Sequence, residues 1–315
     1  MSRGAGTSPR ARREVTGVLL LDKPAGISSN AALQRARARF GAAKAGHTGN
    51  LDVEASGLLP LCFGEATKVC GWLLDADKTY DATLRLGVRT TTGDAEGDVV
   101  ERRSVTPEMR ESLAALLPTL LGPRLQVPPM YSALKQGGRP LYALARAGLE
   151  VERAPREIKL YALDLISSEG DEARIRVHCS KGTYIRVLAE EIGAALGCGA
   201  SLVALRRLTA GPFSLLDAVT LDELWARPDP LEAFDARLLP ADLALTGLPL
   251  LVLGPAQVGS LRHGRNVQLD GSWGAGLFRV YETAGCFVGL VEITPGGLAT
   301  PRRMFGQVLG MGRQS

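Results

Sequence analysis

The 315-residue chain contains no apolar run near the roughly 20 residues that a membrane-spanning helix requires. It begins MSRGAGTSPRARRE, which is basic but lacks the apolar segment of a secretory signal peptide. We therefore expect a cytoplasmic protein with no membrane contact. Because 45% of the residues are hydrophobic and 22% are charged, the chain can bury one large domain and one small one.

Residues that form disulfides or bind metals are also few. The five cysteines are scattered, odd in number and never in Cys-x-x-Cys spacing, so we expect reduced thiols and no zinc site. Three histidines in the whole chain argue against a metal site. The segment GDAEGDVVE differs from the calcium loop of an EF-hand in the positions of its glycine and glutamate. We interpret this segment as an exposed turn and expect no bound metal.

Lysine is scarce, because seven of the 37 basic residues are lysines and the rest are arginines. The planar guanidinium of arginine suits phosphates and base edges. A net charge of only +4 leaves nucleic-acid binding as one possibility, and a biased composition of the gene would give the same arginine content.

Composition and periodicity divide the chain into three segments. Residues 1–14 are basic with little to pack in a core and predict a disordered arm. Residues 15–245 carry strand and helix patterns that predict a large domain. Residues 246–315 hold short strand candidates with glycine-rich turns, such as Pro295-Gly296-Gly297, and predict a small β-barrel.

In two segments, core-facing residues alternate with outward-facing ones, as in half-buried β-strands. In KTYDATLRLGVRT, every second residue from Tyr80 to Leu86 should face the core. In EARIRVHC, every second residue from Ala173 to Cys179 should do the same and leave the polar residues between them on the other face.

Two segments predict helices. The segment NAALQRARARF, capped by Ser29 or Asn30, should bury an apolar stripe and leave Arg35 and Arg39 together on another face that could meet phosphates. GEATKVCGWLLDAD predicts a second helix.

The segment AGHTGNLDVEASGLLP, residues 45–60, places Asp52 between a glycine-rich turn and an apolar run. Its glycines permit backbone conformations that could hold Asp52 at the lip of an apolar pocket. Burial disfavours a charged carboxylate there, so a functional Asp52 needs a nearby cation. The alternative is that Asp52 bonds its own backbone in an Asx turn.

A candidate cation lies in SKGTYIRVLAEEIG, where Tyr184 and Arg186 fall at a strand-to-helix junction. Being two residues apart, both side chains could point into one cleft, where Arg186 could stabilise a carboxylate. Alternatively, Arg186 is a surface residue near a helix start and Tyr184 is a core residue.

Seven blocks in unbroken order carry a family resemblance over about residues 15–215. They are KPAGISS, GHTGNLD with ASGLLPLCFGEATK, DKTYDATLRLG, TTTGDAEGDVV, PPMYSALKQGGRPLY, KGTYIRVLAEEIG and LRRLTAGPF. Together they resemble the bacterial tRNA pseudouridine synthase B family. The resemblance implies an α+β pseudouridine-synthase fold over 15–245, with a central, mostly antiparallel mixed sheet flanked by helices. Residues from about 248 are similar to the small RNA-binding barrel of the PUA type.

The resemblance also implies a reaction and its residues. The family isomerises the uridine at tRNA position 55, in the T-arm loop, and the reaction needs no cofactor because it involves no net redox change. Asp52 would be the nucleophile, Arg186 its ion-pair partner, and Tyr80 the residue that stacks on the base and relays the C5 proton. The other site residues by resemblance, all assigned to substrate binding or to bracing the active-site loop, are His47, Tyr184, Leu205 or Leu208, and Lys23 with Pro24.

One departure from the family occurs beside the nucleophile. The family commonly reads Asp-Pro-Leu, whereas Val53 and Glu54 follow Asp52 here. Proline fixes its own backbone φ angle, so we expect its loss to soften the loop without abolishing the nucleophile. Attack at C6 of uracil and attack at C1′ of ribose both remain open.

The expected partner is the T-arm of tRNA, bound by a monomer that requires no protein partner. RNA should be recognised through its shape and phosphates, and the candidate contacts are Arg35, Arg39, Arg174, Arg176, Arg206, Arg207, Arg302 and Arg303. Three alternatives stay open: an rRNA pseudouridine synthase of the same family, a non-catalytic tRNA-binding or folding factor on the same scaffold, and a glycosidase-like hydrolase using Asp52 with Glu54.

Overall fold

Strands and helices follow one another irregularly along the chain, and the computed structural model describes residues 12–226 and 230–309. The strands are β1 (Gly17–Lys23), β2 (Ala45–His47), β3 (Ser56–Phe63), β4 (Lys78–Leu86), β5 (Val88–Thr90), β6 (Val99–Arg102), β7 (Gly122–Gln126), β8 (Lys135–Gln136), β9 (Arg139–Pro140), β10 (Arg156–Glu169), β11 (Glu172–Cys179), β12 (Ala200–Ala210), β13 (Phe213–Ser214), β14 (Val219–Thr220), β15 (Leu250–Leu253), β16 (Val267–Gln268), β17 (Gly276–Glu282), β18 (Phe287–Ile293) and β19 (Leu298–Leu309).

The α-helices are α1 (Ser29–Phe40), α2 (Cys70–Asp75), α3 (Pro107–Leu116), α4 (Leu141–Arg146), α5 (Ile185–Leu196), α6 (Leu221–Trp225) and α7 (Pro255–Arg262). Short 3-10 helices cover Gly64–Val69, Leu117–Leu120, Leu215–Asp217, Leu231–Arg237 and Ala241–Leu245. The segment predicted as one helix from Gly64 onward is therefore a 3-10 turn followed by α2. No helix among the described residues is long and apolar enough to cross a membrane.

A ten-stranded sheet forms the larger part of the fold. Its order is β14-β1-β3-β12-β4-β11-β10-β7, with β2 added to β3 and β13 added to β12. The pairs β1–β14 and β12–β3 are parallel and the others are antiparallel, so the predicted mixed, mostly antiparallel sheet is confirmed.

The two alternating strand patterns correctly predicted the buried face of this sheet. Alternate residues of β4 from Tyr80 to Leu86 and of β11 from Ala173 to Cys179 are buried, and α3 and α5 pack on that side. The opposite face of these strands carries charged side chains. A residue's parity along β4, β11 or β12 therefore decides whether it lies in the core or on the outer face.

Helix α1 differs from its prediction at both ends. Its N-cap is Ser28, whose hydroxyl accepts from the Ala31 amide at 3.1 Å. Near its C-terminal end Arg39 is buried, donates to the Leu224 carbonyl at 2.6 Å and lies 3.7 Å from the centre of the Phe234 ring. The predicted exposed arginine pair on this helix is therefore wrong for Arg39, because α6 and its neighbours cover that face.

The described chain begins in contact with the domain. Arg13 forms an ion pair with Asp235 at 2.6 Å, and its amide donates to the Gly41 carbonyl at 2.7 Å. The predicted disordered arm of residues 1–14 is wrong at this end, because Arg13 finds a carboxylate far along the chain. Residues 1–11 of that prediction lie outside the described residues.

The smaller sheet is five-stranded, in the order β15-β17-β18-β19-β16. The predicted turn at residues 295–297 joins β18 to β19, with Gly297 in a left-handed conformation (φ 77°) and its amide bonded to the Thr294 carbonyl at 2.9 Å. Phe287 and Phe305 of this sheet share one apolar cluster with Val18 and Leu58 of the large sheet. The two sheets therefore have a common core.

Candidate active site

The loop between β2 and β3 carries Asp52. The side chains of Lys23 and Ser29 bind to the backbone of this loop. The ammonium of Lys23 donates to the carbonyls of Pro24 (2.9 Å), Ile27 (2.7 Å) and Val53 (3.1 Å). Burial lowers the pKa of Lys23 to about 8. Because its side chain is fully buried, Lys23 is placed as a brace of the loop and not as a substrate contact.

Ser29 adds a second attachment. Its hydroxyl donates to the Leu51 carbonyl at 3.0 Å and accepts from the Leu51 amide at 2.8 Å. This buried pair fixes the residue before Asp52 to the first turn of α1. Ser29, which we expected as a possible N-cap of α1, therefore binds the backbone of the Asp52 loop instead.

Arg207 holds the other side of the loop. Its guanidinium donates to the Leu58 carbonyl at 2.6 Å and to the carbonyls of Gly49 and Asn50 at 3.4 and 3.5 Å. Only 1% of Arg207 is exposed, so its prediction as a phosphate contact is wrong. Strand alternation could have revealed this role, because Arg206 and Arg207 must face opposite sides of β12.

The Asp52 carboxylate meets Arg186 in a cleft. Nη2 of Arg186 lies 3.2 Å from Oδ2 of Asp52, and the two side chains are 7% and 49% exposed. Among the described residues, the carboxylate's partner is this guanidinium and not an amide of its own turn, which overturns the Asx-turn alternative. The Asp52 carboxylate is therefore half-exposed, whereas the Arg186 guanidinium that pairs with it is buried.

Three further oxygen atoms hold the Arg186 guanidinium. Nη1 lies 3.3 Å from Oδ2 of Asp94 and 3.4 Å from the Thr92 carbonyl, and Nη2 donates to the Tyr131 carbonyl at 2.7 Å. The Asp94 side chain is only 15% exposed, so the interpretation of its segment as a wholly exposed turn is wrong at this residue. No local pattern marks Asp94, because its partner is 92 residues away in the sequence.

The backbone at the start of α5 is fixed by Gln126, a buried residue that sequence reasoning missed. Its side-chain amide accepts from the Tyr184 amide at 2.8 Å and donates to the Tyr184 carbonyl at 3.2 Å. Burial raises the pKa of Tyr184. Gln126 thus orients the turn from which Arg186 reaches the cleft.

Tyr80 lies on β4, is 9% exposed and packs in one core cluster with Leu51 and Ala55 of the Asp52 loop. Arg207 is its partner on the neighbouring strand β12, and burial raises the pKa of Tyr80, so the phenol is neutral at pH 7. Arg207 also lies near His47, which is half-buried on β2. Burial and then this guanidinium lower the pKa of His47 from its ordinary value, which favours the neutral imidazole.

A recess opens beside the ion pair. It is lined by Asp52, Glu54, Ala55, Asp94, Ala95, Glu96, Leu202, Val203, Ala204 and Leu205. Burial and the nearby Asp94 carboxylate raise the pKa of Glu96. The structure therefore brings Asp52, Arg186 and Leu205 together at one apolar wall with an acidic rim.

The remaining arginine candidates lie outside this recess. Arg174 and Arg176 pair with Asp81 at 2.8 and 2.7 Å, and Arg206 pairs with Asp22 at 2.6 Å. Arg302 pairs with Glu292, and Arg35 and Arg303 are exposed.

Comparisons with known proteins cover nearly the whole chain. Residues 37–185 match the family model of the TruB family pseudouridylate synthase N-terminal domain. Residues 186–246 match the tRNA pseudouridylate synthase B C-terminal domain, and residues 249–305 match the model described as Pseudouridine synthase II TruB, C-terminal.

Curated relatives share about half of their residues with the chain. It is 52% identical over 297 residues to tRNA pseudouridine synthase B of Stutzerimonas stutzeri, covering 94% of this chain and 97% of the relative. It is 53% identical over 298 residues to the protein of the same name from Thiobacillus denitrificans, covering 95% and 98%.

Solved structures share the fold at lower identity. An H/ACA RNP bound to a substrate RNA containing 2′-deoxyuridine matches with a TM-score of 0.69 and 25% identity, over 92% of this chain and 85% of the other. A Cbf5-Nop10-Gar1 complex matches with a TM-score of 0.69 and 26% identity, over 96% and 89%. The α+β pseudouridine-synthase fold expected from the sequence is confirmed.

Proposed function

The chain belongs to the TruB family of pseudouridylate synthases and forms pseudouridine in tRNA, and we propose that it acts on the uridine at position 55 in the T-arm loop with Asp52 as nucleophile. The observation that carries the proposal is the half-exposed Asp52 carboxylate paired with a buried guanidinium at an apolar recess. Like the carboxylate nucleophiles of glycosidases, Asp52 attacks an electron-poor carbon, here C6 of uracil or C1′ of ribose.

Arg186 orients this nucleophile. A guanidinium held by four oxygen atoms has little freedom to rotate, so the carboxylate paired with it keeps a narrow range of positions. The loop bonds of Lys23 and Arg207 act on the backbone in the same way. These residues orient the attacking oxygen before the RNA arrives.

The composition of the recess supports a neutral base as the group that enters it. Carboxylates of Asp52, Glu54, Asp94 and Glu96 line the rim, so a phosphate group is repelled there. Uracil carries no charge and can pack against Leu205. A base inside a folded T-arm must first be extruded, which costs a few kcal/mol.

Tyr80 completes the reaction. The bond between C1′ and N1 breaks, the base rotates, and a bond forms between C1′ and C5. The bond from the Asp52 oxygen to the substrate carbon breaks in turn, which restores the carboxylate. The proton then leaves C5 and N1 takes up a proton from solvent; the neutral phenol of Tyr80 stacks on the base and relays the C5 proton by passing on its own proton as it accepts the incoming one. Atoms and electrons balance within the substrate, so no cofactor is required.

The partner that fits these features is the T-arm of tRNA, bound by a cytoplasmic monomer without a protein partner. His47 and Tyr184 contact nucleotides near the flipped base. The synthase domain covers residues 15–245, and residues 246–315 form a PUA-like domain that binds RNA. The rRNA-modifying alternative receives less support, because the curated relatives near 50% identity are named as tRNA enzymes.

The test is tritium release from tRNA labelled at C5 of uridine. Wild-type protein should release one label per tRNA, and a transcript with cytidine at position 55 should release none. Asp52→Ala should bind tRNA with wild-type affinity, unfold at the wild-type temperature and release no label. Wild-type protein that binds tRNA and leaves the label in place would favour the folding-factor alternative, and a large drop in the unfolding temperature of Asp52→Ala would show a structural role.

A further inference from the structure

Two cysteine thiols lie close together beside β2, the strand that carries His47. Cys62 lies on β3 and is fully buried, and Cys70 is the first residue of α2 and is partly exposed. Cys62 belongs to an apolar cluster of the core, and Cys70 packs against that same cluster. Cys62 also pairs with Gly46 across β2 and β3, and a Cβ atom at Gly46 would lie 3.6 Å from the Cys70 sulfur. The missing side chain at Gly46 leaves both thiols room over β2.

The two sulfurs are chemically unequal. The neighbouring Cys62 thiol and the positive charge of Lys44 lower the pKa of Cys70. The neighbouring Cys70 thiol and burial raise the pKa of Cys62. A Cβ atom at Gly71 would meet nothing within 4 Å, so the residue that follows Cys70 borders open space. A partly exposed thiol with a lowered pKa next to a second thiol is the arrangement found in redox-sensitive pairs.

The other three cysteines, all within the described residues, differ from this pair. Cys179 and Cys198 are buried, and Cys179 contacts the Lys78 carbonyl. Burial raises the pKa of Cys179 to about 11. Cys286 is partly exposed and serves as a control for simple accessibility.

We propose that Cys62 and Cys70 form a reversible intramolecular disulfide when the protein meets a hydroperoxide. The Cys70 thiolate attacks the O–O bond of hydrogen peroxide, becomes a sulfenic acid and releases hydroxide, which takes up a proton to give water. The Cys62 thiol loses its proton as its sulfur attacks the Cys70 sulfur, and the second oxygen leaves as water. Two electrons pass from the two thiols to the peroxide, and a dithiol restores both thiols by exchange.

Trypsin offers a direct test, because cleavage after Lys44, Lys68 and Lys78 places the two cysteines in separate peptides, 45–68 and 69–78. The reduced full-length protein is treated with hydrogen peroxide, its free thiols are alkylated, and the digest is analysed without reductant. Peptides 45–68 and 69–78 should appear linked, two of the five thiols should resist alkylation, and dithiothreitol should restore all five.

The controls separate this pair from general oxidation. Cys286→Ser should leave the link unchanged. Cys62→Ser should abolish it and leave Cys70 as a sulfenic acid that reacts with dimedone, whereas Cys70→Ser should abolish both the link and that reaction. Five thiols that stay reduced, a link between any other pair, or Cys70 that passes to the sulfinic acid without linking in the wild type would overturn the proposal.

Discussion

Two carboxylates share the Arg186 guanidinium, and replacing each with asparagine should separate a catalytic group from a supporting one. Asp52→Asn and Asp94→Asn are the same near-isosteric change, and each removes one anion from the same partner. The two carboxylates differ in exposure, 49% for Asp52 and 15% for Asp94. That difference decides the expected effects on the free energy of unfolding.

Asp52 should contribute little to stability, because its carboxylate is half-exposed and Arg186 keeps its bonds to Asp94 and two carbonyls without it; ion pairs of solvent-exposed groups typically contribute about 0–1 kcal/mol. Asp94 makes more bonds in a drier place. Its other oxygen accepts from the Thr92 hydroxyl at 2.5 Å and from the Glu96 amide at 3.1 Å. Breaking such a set leaves polar groups unpaired and should cost about 1–3 kcal/mol. We therefore expect Asp94→Asn to be the less stable variant.

Activity should follow the opposite order. Asp52→Asn removes the attacking oxygen anion, so tritium release should be undetectable. Asp94→Asn leaves that oxygen in place but loosens Arg186, and a misplacement of about 1 Å can slow a reaction about 100-fold. Urea unfolding compares the stability of the two variants, and single-turnover tritium release compares their activity. Equal losses of stability, or an Asp52→Asn variant that releases label at the wild-type rate, would refute the reasoning.

Three further substitutions test other parts of the structure. Gly57→Ala should lower the free energy of unfolding, measured in urea, by about 2–5 kcal/mol. The reason is that Gly57 has φ +101° and a Cβ atom there would lie 2.3 Å from the Arg207 carbonyl oxygen. Gly26→Ala is the control: Gly26 has φ +81° but a Cβ atom there would meet no atom within 4 Å, so this substitution should lower the free energy of unfolding by only about 1–2 kcal/mol, through backbone strain. Tyr80→Phe should bind tRNA normally in filter assays and release tritium slowly, and a wild-type rate would contradict the proton relay. Burial lowers the pKa of Lys78 from 10.5 to about 8, so between these pH values the unfolded chain binds more protons than the folded one and the contribution of Lys78 to stability rises with pH. In urea unfolding, wild type should therefore gain stability relative to Lys78→Met between pH 8 and about pH 10, and a constant difference would contradict this.

Strand periodicity predicted the core well because it depends on local geometry alone. Tyr80 and Arg207 are paired across β4 and β12, and both face the cleft side. Asp81 and Arg206 are the adjacent pair and lie on the outer face. The same parity was available in the sequence of β12, and it would have removed Arg207 from the phosphate candidates.

The sequence could not reveal the partners that define the site. Arg186 meets Asp52 and Asp94 from positions more than 90 residues away, and the sheet order that joins them is a property of the whole fold. Gln126 is an ordinary polar residue in its own segment and becomes a brace only when β7 passes the start of α5. A buried polar group must find partners, but the sequence does not say where those partners are.

The loop at Asp52 shows how long-range bonds can replace a local constraint. The family's proline would fix φ directly after the nucleophile, and Val53 supplies no such ring. The Val53 carbonyl instead accepts from the Lys23 ammonium at 3.1 Å and from the Gly26 amide at 2.9 Å. Because both donors belong to the segment that ends β1, the loop is held to the large sheet at the residue where proline is missing. The buried ammonium of Lys23 therefore holds the backbone of the residue that follows the nucleophile, where the family's proline would act through its ring.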